Sequence, residues 1–324
     1  MSNLIENQKS DFLPDQESSF LERQKKKVRM VLKQMKLNYD AYLLLAPFGI
    51  IFILFTLLPV VISVYYSFTY YNVLEKPQFI GFQNYINLFV NDDVFLIALK
   101  NTFIIAAITG FIGYFACFFF AWLINELPPI PKAIMVVVFY APSISGAAFL
   151  IWSIIFSGDA YGYLNAILLD LGLINSPIRW LTNPDYMLAV VIIVQLWMSL
   201  GAGFLSFVAG FKMVDQSQYE AGYIDGIKNR WQELWYITFP SMRPQLMFGA
   251  VMTITSSFTV ADVTAQLCGS PSTDYAAHTI LNHLNDYGGV RFDMGYACAI
   301  ATILFMTMLL LNQVIQKMLN KLGQ

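Results

Sequence analysis

Six long apolar runs, separated by polar stretches, set the pattern of the chain. They lie near Tyr42–Tyr70, Leu99–Ile124, Lys132–Phe156, Tyr186–Phe211, Gln245–Leu267 and Met294–Met318. Each is about the 20 residues a helix needs to cross hydrocarbon, so the pattern predicts six transmembrane helices in an all-α polytopic membrane protein. Pro47, Pro59 and Pro142 fall inside runs and predict kinks, which are tolerated where neighbouring helices satisfy the freed backbone. Residues 1–40 read as a polar, basic tail and residues 41–324 as one membrane domain. The tail lacks a signal-peptide core. Its run Lys25-Lys26-Lys27-x-Arg29, just before the first apolar segment, predicts a stop at the inner membrane face and contact with anionic lipid headgroups. Beside a membrane segment, nucleic-acid binding is the weaker reading of that run.

Composition agrees. The chain is 57% hydrophobic and 12% charged, against about 25% charged in soluble domains. The net charge of -2 matters less than where the charges sit. Of 19 Lys and Arg, only Lys76, Lys100, Arg179 and Arg291 fall on the side opposite the N-terminus. The positive-inside rule then predicts both termini in the cytoplasm of a multi-pass membrane protein. Cys117, Cys268 and Cys298 have no metal or disulfide spacing, and those inside apolar runs read as small hydrophobes.

The longest polar stretch in the second half lies within a loop at about 212–244, which this topology puts in the cytoplasm. Ser217-x-x-Glu220 reads as a capping box at a helix start, and Gly226 as that helix's stop. After a turn at Lys228-Asn229-Arg230, the residues Trp231, Leu234, Trp235 and Thr238 recur at helical spacing as one largely apolar face. Pro240 and Pro244 are expected to break the second piece. An amphipathic helix pair lying on lipid would carry a Lys/Arg-rich polar face; this one carries Glu220, Asp225 and Glu233.

The run Glu220-Ala221-Gly222-x-x-Asp225-Gly226, followed by Trp231, Ile237-Thr238-Phe239-Pro240 and Pro244, resembles the EAA loop of ABC-importer permeases. The departures are small: Gly222 where the motif prefers Ala, Ile227 for Ala, Leu234 for Phe and Phe239 for Leu. The outer segments Phe79-Ile80-Gly81-Phe82-Gln83-Asn84, Leu99-Lys100-Asn101-Thr102, Gly162-Tyr163-Leu164-Asn165, Trp180-Leu181-Thr182 and Gly269-Ser270-Pro271 are similar to those of sugar-importer permeases. The likeness is closer to the first permease of maltose-type or multiple-sugar systems than to the second. It implies a type I ABC-importer permease fold and an ATPase-coupling role for Glu220, Ala221, Gly222, Asp225, Gly226 and Pro240. It also implies cytoplasmic ABC ATPase subunits that hold the ATP and Mg, a second homologous permease and an extracytoplasmic solute-binding protein. Read from the residues alone, the outer Gly, Asn and Pro are plain turn formers.

No Gly-x-x-x-x-Gly-Lys-Ser/Thr run is present to cradle ATP phosphates, and no metal-ligand or nucleophile motif appears, so this chain is read as neither an enzyme nor a holder of cofactor or metal. His278 and His283 are five apart in an outer loop, without a third ligand, and read as surface histidines. On the fifth run Thr255, Thr259, Asp262 and Gln266 recur as one polar helical stripe, with Ser256 and Ser257 beside it. Gln195 and Trp197 on the fourth run are similar candidates. Met247, Phe248, Val251, Ile254 and Phe258 are then expected to meet lipid. Such polar groups either line a solute path or bond helices together, and the residues leave both open. The expected function is an ATP-driven, binding-protein-dependent permease for a sugar or oligosaccharide; an ion-coupled secondary transporter is the alternative, with Asp262 its one clear intramembrane acid.

Overall fold

The computed structural model describes residues 29–30, 37–146 and 148–322, so the tail up to Met30, apart from Arg29 and Met30 themselves, lies outside the described residues. Contacts divide the chain into a unit ending at Ile62 and a second beginning at Ser63. Helix α1 runs Tyr39–Tyr66. Pro47 lies inside it, and a π turn at Ile53–Leu57 precedes Pro59.

In the second unit a two-residue hairpin, β1 (Thr69–Tyr70) with β2 (Gln78–Phe79), leads to α2 (Gln83–Val90) and α3 (Asp93–Asn125). At 33 residues α3 is about 50 Å long and is the axis of the unit. It is followed by α4 (Pro129–Ile144), α5 (Ala148–Ile155), α6 (Tyr163–Asp170), α7 (Pro184–Met198) and α8 (Ala202–Met213). Next come α9 (Gln216–Ile224) and α10, which starts at Arg230–Glu233 and continues through a π turn at Leu234–Thr238 to Phe239–Ser241. Then come α11 (Arg243–Phe258), α12 (Asp262–Cys268), α13 (Ile280–Asn285) and α14 (Met294–Leu322).

Five of these stretches are long and apolar enough to span a membrane, with α7–α8 and α11–α12 each counting as one. The sixth expected span is the pair α4–α5, bent by 82° two residues after Pro142. Proline removes a donor and clashes with the preceding turn, so a helix end there is the expected response.

Three apolar clusters hold the unit together, and α3 contributes to each: Phe95 with Ile254, Ile280 and Ile300; Ile105 with Met187, Val190 and Val263; Phe118 with Phe204, Phe207 and Leu234. Close approach of helices replaces hydrophobic force in lipid and needs small residues at the seam. A Cβ at Gly113 of α3 would come within 2.9 Å of Ser199 Oγ, so only glycine lets α3 sit this near the α7–α8 break. The described cysteines are free: Cys117 is buried, Cys268 and Cys298 are half-buried.

The outer turn formers do more than turn. Asn84 donates to the carbonyls of Ser67 (3.0 Å) and Thr69 (2.9 Å). Asn101 donates to those of Tyr275, Ala276 and His278, each at 3.1 Å. Asn165 donates to Ser157, Asp159 and Ile178 and accepts from the Ile178 amide and the Trp180 indole. All three are buried side chains that satisfy loop backbone, which corrects the plain-turn reading.

Candidate functional site: the α9–α10 loop and the open face of α11–α12

Helix α9 begins two residues earlier than the capping-box reading allows. Asp215 is the N-cap, accepting from the Ser217 amide at 3.0 Å, and that bond holds its carboxyl below the usual range. Gly226 does follow the helix end, at φ +95°, a left-handed conformation that suits glycine. Asn229 caps α10 by accepting from Gln232 N at 2.9 Å. Pro240 lies inside α10 and does not end it. The π turn before it shifts the bonding to i→i+5, Phe239 N reaching Leu234 O, so the missing donor falls where the pattern is already displaced.

The loop has an inner and an outer surface. Leu234, Ile237 and Thr238 are buried, whereas Trp231 and Trp235 are 68% and 67% exposed, so the single apolar face expected for α10 is split in two. Gly222 is buried as well: a Cβ there would stand 2.6 Å from Ile237 Cδ1, so α9 seats closely on α10 and any added side chain must displace the Ile237 tip. Tyr219 Oη meets Thr238 Oγ1 at 2.9 Å, and Ser241 Oγ donates to Gln218 Oε1 at 2.8 Å. Arg230 joins Glu126 at the end of α3 (2.8 Å) and Glu233 (3.0 Å). Phe118 and Phe239 stack at 5.0 Å, Trp122 and Trp231 approach to 5.2 Å, and a cleft of ≈ 540 Å³ lined by Trp122, Glu126, Tyr219, Glu220, Tyr223 and Arg230 opens between α9, α10 and the end of α3. What remains on the outer surface is Glu220, Ala221, Tyr223, Ile224 (88% exposed), Asp225 and Gly226, with Pro240 exposed on α10.

The fifth span is not one helix. It breaks at 259–261, so the stripe Thr255–Thr259–Asp262–Gln266 belongs to two helices, with Asp262 in the first turn of α12. Membrane burial demands that freed carbonyls find partners, and here side chains supply them. Thr259 Oγ1 donates to Thr255 O (3.1 Å) and Ser256 O (3.3 Å), Thr279 Oγ1 to Val260 O (2.7 Å), and Thr264 Oγ1 to Ala261 O (2.7 Å).

The break keeps the polar groups on two sides. Ser256, Thr259, Asp262 and Gln266 are exposed and Thr255 half-buried, whereas Thr253, Ser257 and Thr264 are buried against other helices. Of the buried set, Thr264 reaches another helix, its Oγ1 lying 2.7 Å from Asn282 Oδ1, whereas Thr253 and Ser257 bond carbonyls of their own helix. Ile254 and Phe258, expected to meet lipid, lie in the core instead, and Gln195 is on the buried face of α7 at 8% exposure, away from open solvent.

The sequence missed one buried polar node. His278 and His283 are not surface residues; they are 3% and 2% exposed. His283 Nε2 lies 3.0 Å from Asp92 Oδ2, to which Tyr296 Oη donates at 2.8 Å, while Asp92 also caps α3 by accepting Phe95 N at 2.9 Å. Burial by itself would raise the Asp92 carboxyl, but the bonds from His283, the Phe95 amide and Tyr296 outweigh it and hold it at about 2. Burial, reinforced by the neighbouring His283, pulls His278 down to about 4. Among the described residues no group of three or more His, Cys, Asp or Glu is placed to hold a metal.

These features define a multi-pass helical membrane protein with a structured inter-span loop and a polar open face, the architecture of a transport subunit. Residues 37–322 match the family described as binding-protein-dependent transport system inner membrane component, and the chain belongs to that family. It is 32% identical over 300 residues to the probable ABC transporter permease protein YesP of Bacillus subtilis (strain 168), a match covering 90% of this chain and 93% of that one. Over 280 residues it is 27% identical to the arabinooligosaccharides transport system permease protein AraP of the same organism, covering 86% and 87%. It is 30% identical over 228 residues to the lactose transport system permease protein LacF of Rhizobium radiobacter, covering 69% and 74%. A solved bacterial ABC transporter involved in the import of alginate has the same fold, with TM-score 0.71 at 23% identity, covering 91% of this chain and all of that one. The protein is thus an importer permease of the inner membrane, and the ion-coupled alternative is not favoured.

Proposed function

We propose that this chain is one permease subunit of a sugar or oligosaccharide importer. It pairs with a second, homologous permease, receives solute from an extracytoplasmic binding protein and is driven by a separate ATPase docked on the α9–α10 loop. The observation that carries the coupling role is the division of that loop. Its back is locked by Gly222–Ile237, Tyr219–Thr238 and Arg230–Glu126, leaving a solvent-facing surface of Glu220, Ala221, Ile224 and Asp225 with no partner within this chain's core. An apolar patch rimmed by carboxylates suits a groove with basic edges. Carbohydrate as the solute class is supported by the named relatives, AraP and LacF among them. The positive-inside count supports a cytoplasmic loop and termini. The open face of Ser256, Thr259, Asp262 and Gln266 offers hydroxyl, amide and carboxylate groups that hydrogen-bond to sugar hydroxyls, and we assign it to the solute path.

Glu220→Lys tests the coupling. The variant should insert and assemble at normal levels yet lose binding-protein-stimulated ATP turnover. Unchanged turnover in that variant sinks the docking assignment.

A further inference from the structure

The connection between α13 and α14, with the hairpin loop, forms a second cleft that the coupling loop and the solute path do not use. It has a volume of ≈ 640 Å³ and is walled by Tyr70, Asn72 and Val73 on one side and Tyr287, Arg291 and Phe292 on the other. That size lies within the range of small-molecule sites. Its walls are fixed. Gly295 N donates to Tyr71 O at 3.0 Å, and a Cβ at Gly295 would strike the Thr69 carbonyl, so hairpin and α14 are packed backbone to backbone.

Two residues of the cleft are held where side chains are seldom found: Val73 at φ +69° and Phe292 at φ +58°. A β-branched residue in that region is an outlier, and such strain persists only where the surroundings impose it. Both side chains are turned outward, 49% and 55% exposed, so the strain is not repaid by burying them. Tyr287 forms the floor, with Arg291 Cζ 4.3 Å above its ring and Arg291 Nη2 2.6 Å from Asp286 Oδ2. Behind it Tyr287 packs on Tyr296 at 4.4 Å and on His283 at 4.9 Å, the residues that hold Asp92.

The chemistry of the walls is specific in kind. Two exposed rings, Tyr70 and Phe292, offer faces or edges to an apolar surface, Tyr287 being covered by Arg291, while Asn72, Arg291 and Asp293, each with one bond of its own already made, keep further donors and acceptors at the rim. Arg291 already has its carboxylate in Asp286, which disfavours an anionic ligand. A neutral ring with an apolar face and a girdle of hydroxyls meets these demands together. We propose that this cleft is a saccharide-binding subsite, separate from the path along α11–α12, at which solute is held before it enters the path. The proposal rests on the topology above, which places both loops on the outer side, and on carbohydrate as the solute class.

The test uses the assembled transporter in lipid nanodiscs without its binding protein. Saturation-transfer NMR is recorded with a mixture of arabino-, xylo- and malto-oligosaccharides and with lactose. Wild type should show transfer to ring protons of at least one saccharide; Tyr70→Ala should weaken it at least tenfold. Phe292→Gly removes a wall while relieving the left-handed backbone, so it should fold as well as wild type and still lose the signal. Leu171→Ala, at an exposed position that lines neither the cleft nor the path, should leave the signal unchanged. Transfer that survives both cleft variants, that vanishes with Leu171→Ala, or that is absent for every saccharide overturns the subsite. Loss of binding-protein affinity in the cleft variants without any saccharide signal would assign the cleft to that protein instead, and overturns it too. Binding-protein-stimulated ATP hydrolysis in the same preparation reports on the permease function separately, so the subsite can fail while that reading stands.

Discussion

Asp92 joins three elements through one carboxylate, and removing it should loosen the first turn of α3. The side chain is 10% exposed and accepts from Phe95 N, His283 Nε2 and Tyr296 Oη. Asp92→Ala deletes an N-cap, worth about 1 kcal/mol, and strands two buried donors at about 1–3 kcal/mol each. A loss of about 3–7 kcal/mol follows, or at least a hundredfold in a local opening equilibrium. Asp92→Asn has one acceptor oxygen, which keeps the cap but turns an amide donor toward His283 and Tyr296, so it should be milder than the alanine variant by about the cap alone, about 1 kcal/mol. Hydrogen exchange of the amides from Phe95 to Ala98, read in the assembled protein, measures the opening directly.

The pH dependence has a definite sign. The folded carboxyl titrates at about 2 against an ordinary 3.8, so its ionised form is favoured by folding. That contribution, about 2 kcal/mol, is complete above about pH 4 and is lost as the pH falls through 2. Wild type should therefore lose protection at these amides between about pH 4 and pH 2, after correction for intrinsic exchange, while Asp92→Asn should lack that step. Equal protection in Ala and Asn variants, or an Ala variant within about twofold of wild type, refutes the account of the node.

At Gly222 the contact with Ile237 predicts a graded response. Gly222→Ala gains about 1 kcal/mol of helix propensity against a small shift of a flexible Ile tip, and should be close to neutral, whereas Gly222→Val should cost about 1–3 kcal/mol and expose the loop to limited proteolysis. In a background with Cys117, Cys268 and Cys298 replaced, cysteines at Ser256 and Thr259 should react with a water-soluble thiol reagent and those at Thr253 and Ser257 should not; uniform silence would make the open face a helix contact.

What could be read from the sequence was what is local. The spans follow from run length, and the turn at Gly226 from residue type, because each depends on neighbours a few positions away. The break at 259–261 left no such trace. A helix wheel drawn through Thr255, Thr259, Asp262 and Gln266 assumes the very continuity that Thr279, 19 residues further on, helps to interrupt by bonding Val260 O. Asn101 and the Tyr275–His278 turn lie more than 170 residues apart, as do Asp92 and His283 at 191, so their roles required the fold. The two histidines looked like surface groups because the carboxylate that holds His283 lies in a different loop and His278 is covered by Tyr275 and His283. Gly222, a departure from the resembled motif, sits against Ile237 of α10, a neighbour 15 positions away.

That closure bears on how force passes through the loop. α9 and α10 meet at the buried Gly222–Ile237 contact, the part-buried Tyr219–Thr238 bond and the exposed Gln218–Ser241 bond, and α10 is tied to α3 by Phe118–Phe239 and Arg230–Glu126. α11, which carries the open polar face, begins two residues after α10 ends. Gly226 is the one left-handed glycine within the loop and would be the point of bending if α9 moved by itself. If the loop instead moves as one body, the proposed ATPase pulls α3 and α11 together. Spin labels at Ile224 and Trp235, both exposed, distinguish the two. Their separation should hold to within about 2 Å between nucleotide-free and nucleotide-trapped states, the scale of side-chain adjustment at a packed interface. A change approaching one helical turn, about 5 Å, would place the hinge at Gly226 and show that the loop flexes before it transmits.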